Sequence, residues 1–90
     1  MKYYIGLIHK DSDSDYGVSF PDFPGLATAG ASLNEARAKA KEALAFHIEG
    51  LAKDGEPIPQ PTGVHQIMSD PKNRAGIAIS VAAPRFNTSA

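Results

Sequence analysis

The chain contains no cysteine and no tryptophan, and neither sign of charge dominates it. Without cysteine there is no disulfide, no thiolate zinc site, no iron–sulfur cluster and no cysteine nucleophile. The fold must hold by packing alone, which suits a reducing compartment. Nine basic side chains against ten acidic ones leave a net charge of −1, spread evenly over the two halves. That balance argues against a non-specific nucleic-acid binder, which needs a lysine and arginine excess to neutralise phosphates. It argues equally against a polybasic membrane-surface protein. Long apolar runs are also missing. Nothing approaches the roughly 18–20 residues of a membrane span, and Tyr3 to Ile8 is too short for the apolar region of a signal peptide. The expectation is a soluble cytoplasmic protein without a membrane partner. Its ninety residues make one domain with one modest core, since a chain of this size buries only about two-thirds of its unfolded surface.

Residues 2–10 are rich in β-formers, and apolar groups fall on both faces (Tyr3, Ile5 and Leu7; Tyr4 and Ile8), as in a strand covered on both sides. A polar stretch, Asp11-Ser12-Asp13-Ser14-Asp15, reads as a hairpin loop. Residues 15–20 alternate, with Tyr16, Val18 and Phe20 on one side, and predict a half-buried strand. Pro21-Asp22-Phe23-Pro24-Gly25 stops the pairing and forms a stiff connection, because each proline removes an N–H and biases its predecessor to extended geometry. Residues 26–30 predict a third strand. Ser32-Leu33-Asn34-Glu35 is a capping box and opens a helix over about 33–53. At 100° per residue its apolar stripe is Leu33, Ala36, Ala40, Ala43, Leu44, His47, Ile48 and Leu51, with Glu35, Glu42, Glu49 and Lys53 opposite. Gly55 and Pro57 close it. The proline-alternating residues 56–61 should be extended, 64–70 a short helical turn, 72–74 a loop, and 76–83 a last strand in which Ile77, Ile79 and Val81 alternate with small residues. The order β-β-β-α-(short helix)-β defines an α+β fold: a mostly antiparallel sheet with one long helix packed on one face.

Chemistry-bearing patterns are sparse. Asp11, Asp13 and Asp15 have the spacing that opens a calcium loop, with Asp22 at the twelfth position. The sixth position, which needs glycine, is Tyr16, so a solvated hairpin loop is the better reading. His47 sits in the apolar stripe and reads as a packed residue; His9 and His65 share no metal-ligand spacing with it or with each other. There is no nucleophile elbow and no phosphate-cradling glycine motif. Strand interiors carry almost no carboxylates for metal-assisted phosphodiester cleavage. The expectation is a protein that is not an enzyme and holds no cofactor, no metal and no catalytic residue.

Two features point to a protein partner. Phe46 falls on the polar side of the helix, and aromatic residues are enriched at interfaces. The run Phe20-Pro21-Asp22-Phe23-Pro24-Gly25-Leu26 sets two phenylalanines and two prolines in one turn. Those rings either cap the end of the core or form a rigid hot spot that loses little entropy on binding.

Tyr16-Gly17-Val18-Ser19-Phe20-Pro21-Asp22-Phe23-Pro24-Gly25-Leu26, Ala29-Gly30, Ser32-Leu33-Asn34-Glu35-Ala36, Ala43-Leu44 and Asp54-Gly55-Glu56-Pro57-Ile58-Pro59 together resemble the N-terminal domain of HicB-type antitoxins. The resemblance covers residues 3–83. It implies a partial ribonuclease H-like fold without a working set of acidic catalytic residues. The implied partner is a HicA-type toxin, a small basic ribonuclease that cleaves mRNA through a histidine and is neutralised when its active site is covered. On this basis residues 1–84 are expected to form the toxin-binding domain. Residues 85–90 would be a polar tail at the start of a missing C-terminal segment that dimerises and binds operator DNA in full-length members, so no DNA-binding residue is assigned here. The residues expected to touch the partner are Asp22, Phe23, Pro24 and Phe46, and a homodimer or higher homo-oligomer is expected. The alternatives are a nucleic-acid-binding domain that stacks bases on Tyr3, Tyr4 and Tyr16 of a sheet face, or an orphan HicB-like regulator.

Overall fold

The structure, a computed structural model, describes residues 2–10 and 12–84; Asp11 of the acidic loop and the tail at 85–90 lie outside the described residues. Four strands form one sheet: β1 (Lys2–His9), β2 (Tyr16–Ser19), β3 (Ala27–Gly30) and β4 (Ile77–Ala83), in the spatial order β3-β2-β1-β4. Every pairing is antiparallel. The long helix α1 (Leu33–Lys53) packs on one face, and a short helix α2 (Val64–Ser69) with a 3-10 turn (Pro71–Asn73) leads back to β4. The expected α+β order is observed.

β1 is the central strand, which explains its two apolar faces. Tyr4 and Ile8 point to α1 and join the main core, while Leu7, on the other face, is also buried. Small residues let the helix approach: Ala36, Ala40, Leu44 and Ile48 are fully buried one turn apart, against Val18 of β2 and Val81 and Ala83 of β4. This stripe is narrower than the periodicity suggests. Ala43, His47 and Leu51 are half-buried, and Leu33 is exposed. In β4, Ile77 alternates in step with Ile79 and Val81 but is 67% exposed, at the end of the strand remote from the buried Val81 and Ala83.

Both ends of α1 are satisfied locally. The Glu35 amide donates to Ser32 Oγ at 3.1 Å, while the Glu35 carboxylate pairs with Lys39 at 3.2 Å on an exposed surface where such a pair contributes a few tenths of a kcal/mol. At the other end the Gly55 amide donates to the Ala52 carbonyl and the Glu56 amide to the Leu51 carbonyl. Gly55 is left-handed at φ +68°. These are the two bonds of a Schellman stop, which needs a residue without a Cβ penalty.

Gly30 is required for a different reason. A Cβ there would fall on the Ala36 amide nitrogen and within 2.8 Å of the Ala36 Cα, so the end of β3 touches the helix backbone. Gly50, on the same helix, would meet nothing within 4 Å. Gly30→Ala should therefore destabilise by about 1–3 kcal/mol through overpacking, and Gly50→Ala should stabilise by about 0.5–1 kcal/mol through helix propensity; urea unfolding midpoints of the two variants check both signs.

Candidate partner interface

The loop between β2 and β3 is two turns in series. Phe23 N–H donates to the Phe20 carbonyl at 3.0 Å, and Leu26 N–H to the Phe23 carbonyl at 3.0 Å. Pro21 and Pro24 each occupy the second position of their turn, where a fixed φ near −65° is already correct. Gly25 follows Pro24 at φ +90°, as the third position of a type II turn demands. Local sequence alone builds this shape.

The side chains then divide. Phe20 and Phe23 are both buried, Phe23 at 3% exposure. The Phe23 ring stands 4.9 Å from Tyr4 and 5.5 Å, edge-on, from His47. It is thus a core residue that ties the loop to β1 and α1. Its ring cannot also be the exposed hot spot the sequence allowed. Pro24 and Gly25 are the exposed tip. His47, half-buried against that ring, is a packed residue.

Asp22 is committed inside the molecule as well. Its carboxylate accepts from the Thr62 amide at 2.9 Å and from Thr62 Oγ1 at 2.6 Å. Beside it the Tyr4 hydroxyl donates to the Pro59 carbonyl at 2.6 Å, and Lys2 Nζ to Gln60 Oε1 at 3.1 Å. Residues 59–62 carry no helix or strand bonds of their own, so these contacts lay that stretch along the sheet end and the loop. Burial pushes the Tyr4 phenol above its ordinary value, and the negative charge of Asp22 pushes the same way. The phenol therefore remains a donor. The sequence pointed to Asp22 without its partner, because a contact forty positions away leaves no periodic trace.

Phe46 lies elsewhere and is 77% exposed on α1. With Thr28 of β3 and Lys39, Glu42 and Ala43 it lines a shallow open groove between the helix and the outer strand. The four residues marked by the sequence therefore do not form one cluster around exposed side chains: Phe23 is internal, Asp22 holds Thr62, and Pro24 and Phe46 face solvent. Thr28, Lys39, Glu42 and Ala43 were not among them; the helical period sets Lys39, Glu42 and Ala43 on the Phe46 side of α1, and only the closure of α1 over β3 brings Thr28 to them.

The tyrosine platform of the nucleic-acid alternative does not form. Tyr4 is buried in the core and Tyr16 packs against it under Lys10, leaving Tyr3 exposed by itself on the opposite sheet face. Among the described residues no three His, Asp or Glu side chains converge as a metal site would require. No helix among them is long and apolar enough to cross a membrane.

An antiparallel sheet with one covering helix, a rigid proline loop and an aromatic-rimmed groove defines a small α+β module whose exposed features suit macromolecular contact. Residues 4–85 match the family model of the HicB-like antitoxins of bacterial toxin–antitoxin systems, and the chain belongs to that family. A 14.9 kDa protein from the rep–hol intergenic region of Haemophilus phage HP1 is 45% identical over 69 residues, 77% of this chain; the chain spans about half (51%) of that relative. A UPF0150 protein of Thermoplasma acidophilum is 43% identical over 60 residues, covering 67% of this chain and 86% of the relative. Among solved structures, the Burkholderia pseudomallei antitoxin HicB superposes with a TM-score of 0.85 at 27% identity, over 100% of this chain and 76% of that one. A chain of the HicA3 and HicB3 toxin–antitoxin complex gives 0.76 at 31% identity, over 92% of this chain and 99% of that one.

Removing the Phe23 ring should cost about 3–5 kcal/mol of stability, whereas Phe46→Ala should stay within about 0.5 kcal/mol of the parent; urea denaturation distinguishes the two. Tyr4→Phe tests the Pro59 contact. It should cost about 1 kcal/mol near neutral pH by leaving that carbonyl unpaired. A phenol that titrates later in the folded state supports stability fully below its unfolded pKa, near 10, and loses that support as pH rises through the folded value. The difference between parent and Tyr4→Phe in urea midpoint should accordingly shrink above about pH 10.

Proposed function

We propose that this chain binds a HicA-type, mRNA-cleaving ribonuclease toxin and neutralises it by occluding its active site, without itself being an enzyme. The observation that carries the reading is Phe46, an almost fully exposed aromatic at the rim of an open groove, in a domain of the HicB-like antitoxin family. A free-standing Phe gains nothing for the fold in water and gains much when a partner desolvates it. The similarity to a chain of the HicA3 and HicB3 complex supports a toxin as that partner.

On this reading Phe46 is the anchor and Thr28, Lys39 and Glu42 surround it. The Pro24–Gly25 tip offers a second, pre-shaped contact. Asp22 and Phe23 act one step back, holding that tip against the core and the 59–62 stretch. Residues 1–84 are then the toxin-binding unit, working where mRNA is translated, in the cytoplasm.

The test is to mix the chain with the HicA-type protein encoded beside it and to follow complex formation and mRNA cleavage. The expected outcome is a stable complex with cleavage suppressed. Phe46→Arg should weaken binding by roughly 30-fold, the equivalent of about 2 kcal/mol, with the urea midpoint unchanged. No complex and undiminished cleavage by the mixture would overturn the proposal.

A further inference from the structure

Glu35, Lys39, Glu42, Phe46, Glu49 and Lys53 follow one another at three- and four-residue steps along α1 and form a single exposed row. Both lysines of the row are engaged within it. Lys39 Nζ meets the Glu35 carboxylate at 3.2 Å, and Lys53 Nζ meets the Glu49 carboxylate at 3.0 Å. In each pair the glutamate precedes the lysine by four positions, the order that helix geometry and the helix dipole favour. Glu42 has no such mate. Ala38 stands four positions before it, Ala45 three after and Phe46 four after. Lys39, three positions before, would have to leave Glu35 and pair in the disfavoured order. Among the described residues the Glu42 carboxylate therefore meets no cation. Phe46 beside it is 77% exposed. One turn further on is Gly50, where even a Cβ would meet nothing within 4 Å, so that flank of the ring is open too.

We propose that Phe46 and Glu42 together receive an arginine side chain of the bound protein, its guanidinium stacked on the ring and forked onto the carboxylate. The inference rests on the reading that Phe46 anchors a toxin, and it names the chemistry that meets that anchor. A partner that covers Phe46 also covers Glu42, whose Cβ lies roughly 5–6 Å away on the helix surface. Taking that carboxylate out of water without a cation is costly, and the lysines of the row are already taken. The partner must therefore bring the positive charge. A branched apolar side chain would satisfy the ring and strand the carboxylate. A lysine ammonium would neutralise the charge but is a compact, strongly hydrated point. A guanidinium does both tasks at once, because its planar face stacks on an aromatic ring while two parallel N–H groups match a carboxylate. The groove is shallow and open, which suits a flat group, and Thr28 on its other wall offers a hydroxyl oxygen to a third N–H.

The experiment is a calorimetric titration of the chain with the HicA-type protein encoded beside it, comparing the parent with Glu42→Gln and Phe46→Leu. Glu42→Gln keeps the size and removes the charge, while Phe46→Leu keeps an apolar group and removes the aromatic face. Each should raise the dissociation constant about tenfold. Both positions are exposed on the helix, so the urea midpoints should not move. The arginines of the toxin are then replaced by lysine one at a time. One of these replacements should weaken binding to the parent about tenfold and leave binding to Glu42→Gln no weaker than it already is, the mark of a direct pair. Binding by Glu42→Gln or Phe46→Leu as tight as the parent's would overturn the proposal, as would a set of toxin arginines none of which is coupled to Glu42. In those cases a parent complex that still forms and suppresses mRNA cleavage leaves the toxin reading standing. A parent that forms no complex overturns both.

Discussion

The ring of Phe23 is the contact on which the rest of this domain depends. It meets Tyr4 of the central strand on one side and His47 of the long helix on the other, and it belongs to a loop whose two proline turns leave that loop little freedom. One buried aromatic therefore joins three elements that are far apart in sequence. In a chain of ninety residues without disulfides, such a junction is worth more than in a larger protein, because the whole core contains few large side chains. Tyr4 extends the effect. Its ring packs on Phe23 and its hydroxyl reaches Pro59, so the same cluster also positions the extended stretch that returns the chain to β4.

From this junction the molecule acquires separate surfaces. The helix is held over β3, which brings Thr28 beside Lys39, Glu42 and Phe46. The loop tip at Pro24 and Gly25 projects because the ring behind it is anchored. At the far margin β4 is left as a long, uncharged edge. Membership of the HicB-like antitoxin family gives these surfaces the context in which the proposed binding role is read. A rigid scaffold with few titratable groups in its core suits that role, since it pays little ordering entropy on association.

Much of the architecture was legible beforehand because it rests on local rules. The cap at Ser32, the stop at Gly55, the alternation of residues 16–20 and the two proline turns each follow from a few neighbouring residues. What was not legible has a common cause. Ile77 alternates in step with Val81, yet Val81 and Ala83 at one end of β4 are buried while Ile77 at the other is exposed. Leu33 obeys the helical period but stands at the first position of the helix and is exposed. Phe23 fits a hot spot and a core cap equally well by composition, and its burial was decided by Tyr4 and His47, nineteen and twenty-four positions away. Alternation already parts Tyr3 from Tyr4, and pairing then sets Tyr16 with Tyr4 on the core side, so the three tyrosines share no one surface.

The sequence by itself therefore determined the elements, their order, the shape of the loop and the family, because periodicity, capping and turn chemistry act over a few residues. Tertiary structure alone decided which of the candidate residues face a partner. Whether Phe23 or Phe46 is exposed, whether Asp22 binds Thr62 or solvent, and which strand is left with an open edge all depend on how distant segments close over one another. Those distances in sequence leave no local mark, whereas in space they set burial, and burial is what separates a residue that holds the fold from one that can hold another molecule.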